Sequence, residues 1–402
     1  MLLKGNKIDV QQDIQFCAKM AKLTVGRASG PRINYICEIF NEVRVGILGT
    51  RGIPNAYGGF EQFAQYLALG LVERGHEVFV YNSSDHPYRD AQWNGVQVIH
   101  CRDWEKKIGT AGQFIYDYNC LRDAARRNFD ILLQLGYTSS SLWHRLWPKN
   151  AVNVVNMDGL EWKRSKYNRL TQRFLRQAER WAAYYADDLV ADSTGIRDYI
   201  RMRYSKEAVY IPYGADIPED YDATALTRFG LTNDGYLLVI ARMEPENNIE
   251  MIVQGWMASD KHRPLVIIGN TGNRFGRQLT ETYRHEKLRF LGALYDPLAL
   301  NALRHYAHVY FHGHSVGGTN PSLLEAMACG CFIVAHHNVF NEAVLCADAW
   351  YFATPQEVRA AINSEPPATM KQEYRARNLE KITRHYCWKK IIDDYENLFL
   401  TR

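Results

Sequence analysis

From residue 43 onward the chain alternates short apolar runs with stretches of helical length. The first run, VRVGILG, precedes a segment whose apolar side chains recur at helical spacing, Phe60, Phe63, Ala64, Leu67 and Leu71. Gly75 ends this helix, and the run HEVFVYN starts at once, which completes a β-α-β unit. The runs DILLQLG, AVNVVNM and DDLVADS continue the alternation, which predicts a parallel, doubly wound sheet.

A second series of this kind begins after VYIPYGAD, which ends a strand and leads into the polar segment PEDYDATAL. Its apolar runs are YLLVIAR, PLVIIGN, LRFLG, HVYFHGH and CFIVAHH. A chain of 402 residues also exceeds the size at which one hydrophobic core usually stops growing. We therefore predict an α/β protein with two Rossmann-like domains, residues 42–214 and 215–385. Residues 386–402 are predicted to form a helix that packs back towards the first domain, and residues 1–41 an extension of unknown role.

Composition and charge exclude several classes of protein. Hydrophobic residues make up 47% and charged residues 23% of the chain, which is ordinary for a soluble globular protein. The net charge of +4 is small for this length and argues against a nucleic-acid partner. The eight cysteines lack metal-finger spacing and are expected to be reduced thiols. No run is apolar enough for a secretion signal or a membrane span, so we expect a cytoplasmic protein.

Two loops that follow predicted strands are suited to binding a ligand, because ligands bind beyond the carboxyl ends of strands in open α/β sheets. The first loop, GTRGIPNAYGGFE, places Gly58 and Gly59 at a helix N-terminus, where backbone amides can approach a phosphate. A flexible turn is the alternative reading of this glycine pair. The loop matches neither GxGxxG nor GxxxxGK[ST], which argues against a dehydrogenase or an ATPase.

The second loop, HSVGGTNPSLLEAMACGC, predicts a helix with Asn320 as N-cap, Pro321 at its first position and Gly330 beyond its end. Backbone amides from Thr319 to Ser322 are expected to face a diphosphate. Glu325, one turn into the helix, can accept hydrogen bonds from two hydroxyls, although a solvated glutamate is an equal alternative. Arg242, which follows the strand LLVIAR, offers a planar cation that matches phosphate oxygens.

These elements, in this order and spacing, resemble the family-4 retaining glycosyltransferases over about residues 43 to 400. That family has the GT-B architecture, in which two Rossmann-like domains face each other across a cleft. The resemblance implies a nucleoside-diphosphate sugar as donor, with Arg242 on the diphosphate and Glu325 on the ribose. It places Gly58 and Gly59 near the donor phosphates, and it completes the donor site with Asn247, Thr319, Asn320, Pro321 and Ser322. The segments GTRGIPNAYGGFE, NMDGLEWKRSKY and EPENN further resemble a bacterial subgroup associated with rhamnosyl transfer in capsule or O-antigen assembly.

Three positions depart from the family pattern. Gly317 stands where a glutamate usually grips the donor sugar, and Asn247 stands where a lysine often supports the diphosphate arginine. Asp158 aligns with a frequent histidine after the VVNM strand. We expect the departures to affect contacts with the donor sugar and the catalytic helper rather than the nucleotide site.

The implied reaction needs a nucleoside diphosphate to leave, so its main requirement is stabilisation of negative charge. Arg242 and the two helix N-termini are expected to supply this without a metal ion or cofactor. Asp158 and Arg242 are the predicted catalytic residues. Asp158 and Glu161 are candidates for contact with a glycan or lipid-linked acceptor.

A predicted helix in the first half carries a basic stripe, Arg169, Arg173, Arg176 and Arg180, which is a candidate acceptor-binding surface. Such a stripe can meet an anionic membrane at the inner face of the plasma membrane or a lipid pyrophosphate, while a solvated helix face is the simpler alternative. Three rival functions remain at this point: a sugar-nucleotide epimerase of the same fold, a degenerate binding protein without turnover, and a nucleic-acid enzyme.

Overall fold

The computed structural model describes residues 42–402 except 57, 158, 165, 166, 261 and 262. The predicted extension at residues 1–41 therefore lies outside the described residues. The described chain contains two parallel sheets, one of eight strands and one of six. This arrangement confirms the α/β class predicted from the alternating apolar runs.

The first sheet has the strand order β3-β4-β2-β1-β5-β6-β7-β8, and every neighbouring pair is parallel except β3 with β4. The strands are β1 Arg44–Leu48, β2 Glu77–Ser83, β3 Gln92–Trp93, β4 Val96–Cys101, β5 Ile131–Leu135, β6 Val152–Asn156, β7 Asp188–Ala191 and β8 Val209–Tyr210. The α-helices in this half are α1 Gly59–Glu73, α2 Glu105–Ile108, α3 Ala111–Ala124, α4 Arg169–Tyr185 and α5 Thr194–Tyr204. Short 3-10 segments lie at Ser140–Leu146 and Glu161–Lys163.

The second sheet has the order β11-β10-β9-β12-β13-β14, and its neighbouring pairs are parallel. The strands are β9 Leu237–Ile240, β10 Leu265–Ile268, β11 Leu288–Gly292, β12 Val309–His312, β13 Ile333–His336 and β14 Trp350–Phe352. The α-helices are α6 Ile249–Met257, α7 Arg274–Thr282, α8 Pro297–His305, α9 Pro321–Ala328, α10 Val339–Leu345, α11 Pro355–Asn363, α12 Ala368–Lys381 and α13 Trp388–Leu400. Other turns of helix lie at Ala223–Phe229, Pro245–Asn247 and Ile382–Tyr386.

The central strands are largely apolar because helices cover both faces of each sheet, although β5 also buries Gln134. All five residues of β5 and all four of β10 are buried. Burying such a side chain contributes about 1.5–3 kcal/mol, so these strands account for much of the stability of the two halves. The apolar patterning of the sequence thus reports directly on which strands lie at the centre of each sheet.

Strands β3, β4 and β14 were not predicted. In β4, intermediate and exposed residues interrupt the buried ones, and β3 has only two residues and pairs antiparallel with β4 at the edge of the sheet. Strand β14 contains three residues, also at an edge. Short length in β3 and β14 and partial exposure in β4 therefore weaken the apolar signal of these three strands.

The last helix, α13, packs on α1 in the first half. The Trp388 and Tyr66 rings stack with their centroids 4.4 Å apart. A Cβ atom on Gly70 would lie 2.3 Å from Ile392 Cδ1, so glycine allows the two helices to approach closely. At the far end of this contact Arg74 forms ion pairs with Asp393 and Glu396. The end of the chain therefore contacts the first half of the molecule.

Candidate functional site

Both sheets have a point at which the strand order reverses, between β1 and β5 in the first and between β9 and β12 in the second. Loops leave the carboxyl ends of neighbouring strands there in opposite directions, which opens a crevice suited to ligands. The glycine-rich loop follows β1, the Arg242 segment follows β9, and the second predicted loop follows β12. The strand order therefore brings these three segments to the reversal points of the two sheets.

The loops after β9 and β12 are held together by hydrogen bonds to backbone carbonyl oxygens. Asn248 Nδ2 donates a hydrogen bond of 2.8 Å to the Gly313 carbonyl oxygen. The Ser315 amide donates to the Glu246 carbonyl oxygen at 3.0 Å. A Cβ atom on Gly313 would lie 2.1 Å from the Asn247 carbonyl oxygen, so only glycine allows this approach. The segment around EPENN is therefore held rigidly against the HSVGG loop.

A pocket of about 120 Å³ lies where these loops face the first half of the chain. The residues that line it are Arg164, Asp192, Tyr213, Arg242, Glu246, Asn247, His314, Ser315, Val316, Gly317, Gly318, Thr319, Asn320, Pro321, Phe340 and Asn341. Five predicted donor-site residues are among them: Arg242, Asn247, Thr319, Asn320 and Pro321. The other four predicted donor-site residues do not line the described part of this pocket: Gly58, Gly59, Ser322 and Glu325.

Two arginines and a neutral histidine define the electrostatics of this pocket. Burial, together with the nearby Arg242 and Arg164 cations, lowers the pKa of His314 to about 3. His314 is therefore uncharged at neutral pH. Its carbonyl oxygen accepts hydrogen bonds of 3.0 Å from the side chains of Asn338 and Asn341, which hold the loop after β12 in place. The cations of the pocket are therefore the two guanidinium groups, and the acidic residues Asp192 and Glu246 also line it.

Arg164 comes from the first half of the chain and was not predicted as a site residue. Its guanidinium lies 2.6 Å from Glu161 Oε1 and 3.6 Å from Glu246 Oε1 in the second half. The first half thus contributes a cation to the pocket. In the second half, Asn247 stands where the family pattern has a lysine. Asn247 instead uses its side chain to donate to the Arg242 carbonyl oxygen at 2.7 Å. The basic segment KRSKY contained the relevant signal, but only the fold brings one of its members to the pocket.

The N-terminus of α9 confirms the predicted cap. Asn320 Oδ1 accepts from the Ser322 amide at 2.9 Å, and Gly330 beyond the helix has a φ of +67°. That backbone amides from Thr319 to Ser322 face a diphosphate stays a prediction, and two of these positions are limited as donors. Pro321 has no N–H, and the Ser322 amide is used by the cap, whose side chain competes with any ligand for it. The Ser322 hydroxyl lies 2.7 Å from the Tyr310 hydroxyl, inside the second half.

The N-terminus of α1 faces that of α9 across the cleft. A Cβ atom on Gly59 would lie 3.6 Å from Pro321 Cγ. Beside it the buried Glu61 accepts hydrogen bonds from the Arg51 amide at 2.8 Å and the Thr50 hydroxyl at 3.2 Å, which orders the glycine-rich loop. A Cβ atom on Gly58 would lie 3.3 Å from Glu61 Oε2, so a carboxylate already occupies part of this helix terminus.

Asp192 is a second pocket residue that was not predicted. It follows β7 in the first half, is buried, and approaches Gly318 so closely that a Cβ atom there would lie 1.7 Å from Asp192 Oδ1. The Thr319 hydroxyl donates to the Asp192 carbonyl oxygen. Gly317 has a φ of +123°, a conformation that a glutamate would adopt only with strain. A carboxylate therefore reaches this part of the pocket from the opposite half of the chain.

Glu325 is neither a free solvated glutamate nor a lining residue of the pocket. It forms an ion pair with Arg304, whose side chain is 4% exposed, while the Glu325 side chain is 28% exposed. Gln62 Nε2 of the first half lies 3.4 Å from Glu325 Oε1. The buried Arg304 cation thus orients the Glu325 carboxylate, which faces Gln62 of α1 across the cleft.

The predicted acceptor residues have different positions. Asp158 lies outside the described residues, and Glu161 pairs with Arg164 at the pocket. Arg169 and Arg173 are both exposed on α4. Within the described residues no cluster of three or more His, Cys, Asp or Glu side chains is suited to a metal ion. The described helices include none with the length and apolar character needed to cross a membrane.

Comparison with known proteins divides the chain into two matched segments. Residues 42–216 match a domain of unknown function, DUF1972, and residues 228–364 match the family Glycosyl transferases group 1. The match to Glycosyl transferases group 1 therefore lies within the second half of the chain. The O-antigen chain mannosyltransferase B of Escherichia coli is 31% identical over 145 residues, which are 34% of this chain and 37% of that protein. The matched region spans little more than a third of that relative's length.

Solved structures share the whole architecture at low sequence identity. Sucrose-phosphate synthase from Thermosynechococcus elongatus has a TM-score of 0.76 at 16% identity, covering 90% of this chain and 99% of its own. Anabaena HepE in complex with UDP and glucose has a TM-score of 0.72 at 15% identity, covering 90% of this chain and 100% of its own. The fold is therefore GT-B, as the motif order predicted.

Proposed function

We propose that this protein is a glycosyltransferase that moves a sugar from a nucleoside-diphosphate donor to a glycan or lipid-linked acceptor in surface polysaccharide assembly. Residues 42–214 form the acceptor domain, residues 215–385 the donor domain, and residues 386–402 the helix that returns to the first domain. The protein acts in the cytoplasm, at the inner face of the plasma membrane where its acceptor is bound to lipid.

The observation that carries the proposal is the pairing of Arg242 with Arg164 around the neutral His314, beside the N-terminus of α9. When the anomeric carbon–oxygen bond of a donor breaks, the nucleoside diphosphate departs with additional negative charge. The Arg164 and Arg242 guanidinium groups, with the dipole of α9, are positioned to stabilise that charge. A neutral histidine can donate or accept a hydrogen bond there without adding a charge that depends on pH.

The donor sugar needs polar partners that Gly317 does not provide. Asp192 lines the pocket from the first half and is the carboxylate best placed for a sugar hydroxyl. Glu325, held by Arg304, lies at the mouth of the cleft opposite Gln62 and is suited to the ribose hydroxyls. Asp158 and Glu161 are proposed to contact the acceptor, and no metal ion is required for charge stabilisation in this arrangement.

The comparisons support the class of donor and the setting. HepE is described in complex with UDP and glucose, and the relative from Escherichia coli is an O-antigen chain mannosyltransferase. The resemblance of the GTRGIPNAYGGFE and NMDGLEWKRSKY segments leads us to propose a deoxythymidine-diphosphate rhamnose donor and retention of configuration at the anomeric carbon. These two features rest on that resemblance alone.

The test is a donor screen with purified full-length protein. Thermal stabilisation and nucleotide release are measured with deoxythymidine-, uridine- and guanosine-diphosphate sugars, for the parent, for Arg242→Gln and for Arg284→Gln. Arg284 is an exposed arginine of the same half and matches the charge change. One donor class should stabilise the parent and the Arg284 variant but not the Arg242 variant.

The acceptor and the stereochemistry follow from the same preparation. Incubation with the active donor and a lipid-linked saccharide should transfer the sugar, and NMR of the product reports the anomeric configuration. Donor binding without any nucleotide release or transfer would favour the degenerate binding protein. An altered nucleotide sugar formed without an acceptor would favour the epimerase, and the absence of both binding and turnover would contradict the proposed function.

A further inference from the structure

A second pocket, of about 430 Å³, lies in the first half, between α4 and α5. Its described lining residues are Trp162, Arg173, Arg176, Gln177, Arg180, Tyr199, Arg203 and Tyr204. Three members of the predicted basic stripe thus share a concave surface with a fourth arginine from the next helix. Arg169 does not line it.

The four arginines of this basic pocket, Arg173, Arg176, Arg180 and Arg203, form no ion pair with any carboxylate among the described residues. Like charges three or four residues apart on a helix destabilise it by about 0.2–0.5 kcal/mol per pair. Elsewhere on α5 the same residue type is neutralised, since Arg197 pairs with Asp198 and Arg201 with Glu207. Four guanidinium groups without a carboxylate partner in the described part of the chain therefore share this one pocket.

The wall of the basic pocket is rigid because a buried carboxylate organises it. Glu179, 1% exposed, accepts hydrogen bonds from Trp162 Nε1 at 3.1 Å, the Tyr199 hydroxyl at 2.8 Å and the Tyr204 hydroxyl at 2.6 Å. Burial, reinforced by the hydrogen bond to Glu179, raises the pKa of Tyr199 to about 12, so the phenol remains a donor. The Arg176 guanidinium lies 4.6 Å from the Trp162 ring centroid, which fixes its plane and leaves its N–H groups to a ligand.

We propose that the basic pocket binds a phosphate or diphosphate group through Arg173, Arg176, Arg180 and Arg203, and that this group belongs to the acceptor. Several convergent guanidinium groups match phosphate oxygens in geometry and charge. That the ligand is the acceptor rests on the proposed function, whereas phosphate binding itself does not.

The position of the basic pocket supports the acceptor as its ligand. Trp162 lies in the 3-10 turn Glu161–Lys163 and lines this pocket, while Arg164, two residues later, lines the cleft. One short turn thus separates the two sites, so a molecule anchored by its phosphate can extend a sugar towards the cleft. Large apolar side chains are also exposed on α4 and α5, with Leu170 at 73% and Met202 at 79%. They favour a lipid as the carrier of the phosphate.

The test measures binding of inorganic pyrophosphate to full-length protein by calorimetry. Because the donor cleft is also expected to take a diphosphate, the experiment uses Arg242→Gln protein as its background. Adding Arg176→Gln and Arg180→Gln should weaken binding at least about tenfold, since each lost charge-assisted hydrogen bond contributes substantially. The matched control adds Arg122→Gln and Arg126→Gln, two exposed arginines with the same spacing and charge, and should bind like the background.

A spectroscopic readout locates the ligand. Trp162→Phe should retain most of the pyrophosphate affinity but lose the fluorescence change that binding causes at this ring. Equal weakening by both double variants, or no weakening by the Arg176 and Arg180 pair in a protein shown to be folded by circular dichroism, would overturn the proposal.

Vesicles distinguish the source of the phosphate. Phosphatidylcholine vesicles that carry a polyprenyl diphosphate should bind the protein more tightly than phosphatidylcholine alone, and pyrophosphate should compete. Competition by soluble pyrophosphate without vesicle binding would keep the phosphate site but overturn a lipid-borne acceptor as its ligand. Donor-dependent nucleotide release is measured in parallel, so failure of the transferase proposal is seen independently of pyrophosphate binding.

Discussion

Arg164 of the first half lies 3.6 Å from Glu246 of the second, and this ion pair crosses the cleft at the candidate active site. The two side chains are 14% and 5% exposed, so water screens the attraction little. Glu161 holds the other side of the same guanidinium at 2.6 Å. Arg164 therefore lines the proposed donor site and also directly follows the turn whose Trp162 lines the basic pocket.

The ion pair between Arg164 and Glu246 should contribute measurably to the stability of the fold. Arg164→Gln should lower the free energy of unfolding by about 3 kcal/mol, because it leaves the buried Glu246 carboxylate without its cation. A double-mutant cycle with Glu246→Gln, measured by denaturant unfolding, should give a coupling energy of about 1–3 kcal/mol. The exposed pair Arg201–Glu207 is the control and should couple by under about 1 kcal/mol. Equal coupling in both cycles would contradict a structural role for the cross-cleft pair.

Arg242 should be required for turnover more than for folding. Arg242→Gln is expected to lower kcat/KM about 100-fold or more in the nucleotide-release assay, since it removes charge from the departing diphosphate. The melting temperature should remain close to that of the parent. Arg284→Gln should change neither quantity. A loss of activity shared by both variants would point to net charge rather than to the pocket.

Stability should fall with acidification because His314 is buried in its neutral form. Its pKa is lowered to about 3, so between about pH 6.5 and pH 3 the unfolded chain binds a proton that the folded chain does not. The free energy of unfolding should decrease by up to about 1.4 kcal/mol per pH unit as pH falls through this window. His314→Asn should reduce that slope by about one proton. A variant of the exposed His100 should show a steeper slope than His314→Asn. Identical slopes in all three proteins would show that His314 does not contribute.

The contact between Gly318 and Asp192 should be disrupted by a single methyl group. Gly318→Ala places a Cβ atom 1.7 Å from Asp192 Oδ1 and should lower the free energy of unfolding by about 1–3 kcal/mol. The double variant with Asp192→Ala should regain stability, because the obstructing carboxylate is gone. If Asp192 holds the donor sugar, the double variant will still turn over slowly. Recovery of both stability and rate would exclude that role.

Substitution of Glu325 should destabilise the fold as well as the donor site. Glu325→Ala leaves the buried Arg304 without its carboxylate partner and should cost about 3 kcal/mol in thermal or denaturant unfolding. Replacing the pair together, by Arg304→Met and Glu325→Leu, should restore much of this stability without restoring donor affinity. Restored affinity in the double variant would argue against contact between Glu325 and the ribose.

The alternating apolar runs determined the fold class and the position of most central strands, because a strand covered on both faces is largely apolar. The cap at Asn320 and Pro321 was likewise predictable, since helix starts depend on local backbone chemistry. The loops that carry the site could be located because ligands gather at the carboxyl ends of parallel strands. The short edge strands β3 and β14 and the partly exposed strand β4 escaped prediction because partial burial weakens their apolar pattern.

Only the tertiary structure decided which charges meet. Arg164 and Asp192 are distant in sequence from Glu246 and Gly318, and no local pattern specifies that the halves bring them together. The burial of Arg304 beneath Glu325 and the neutrality of His314 likewise depend on packing, because desolvation and neighbouring charges come from separate elements. The basic stripe was visible on one helix, but its pocket exists because Glu179 gathers Trp162, Tyr199 and Tyr204 beside it. Sequence thus determined where polar groups could stand, and folding determined their partners.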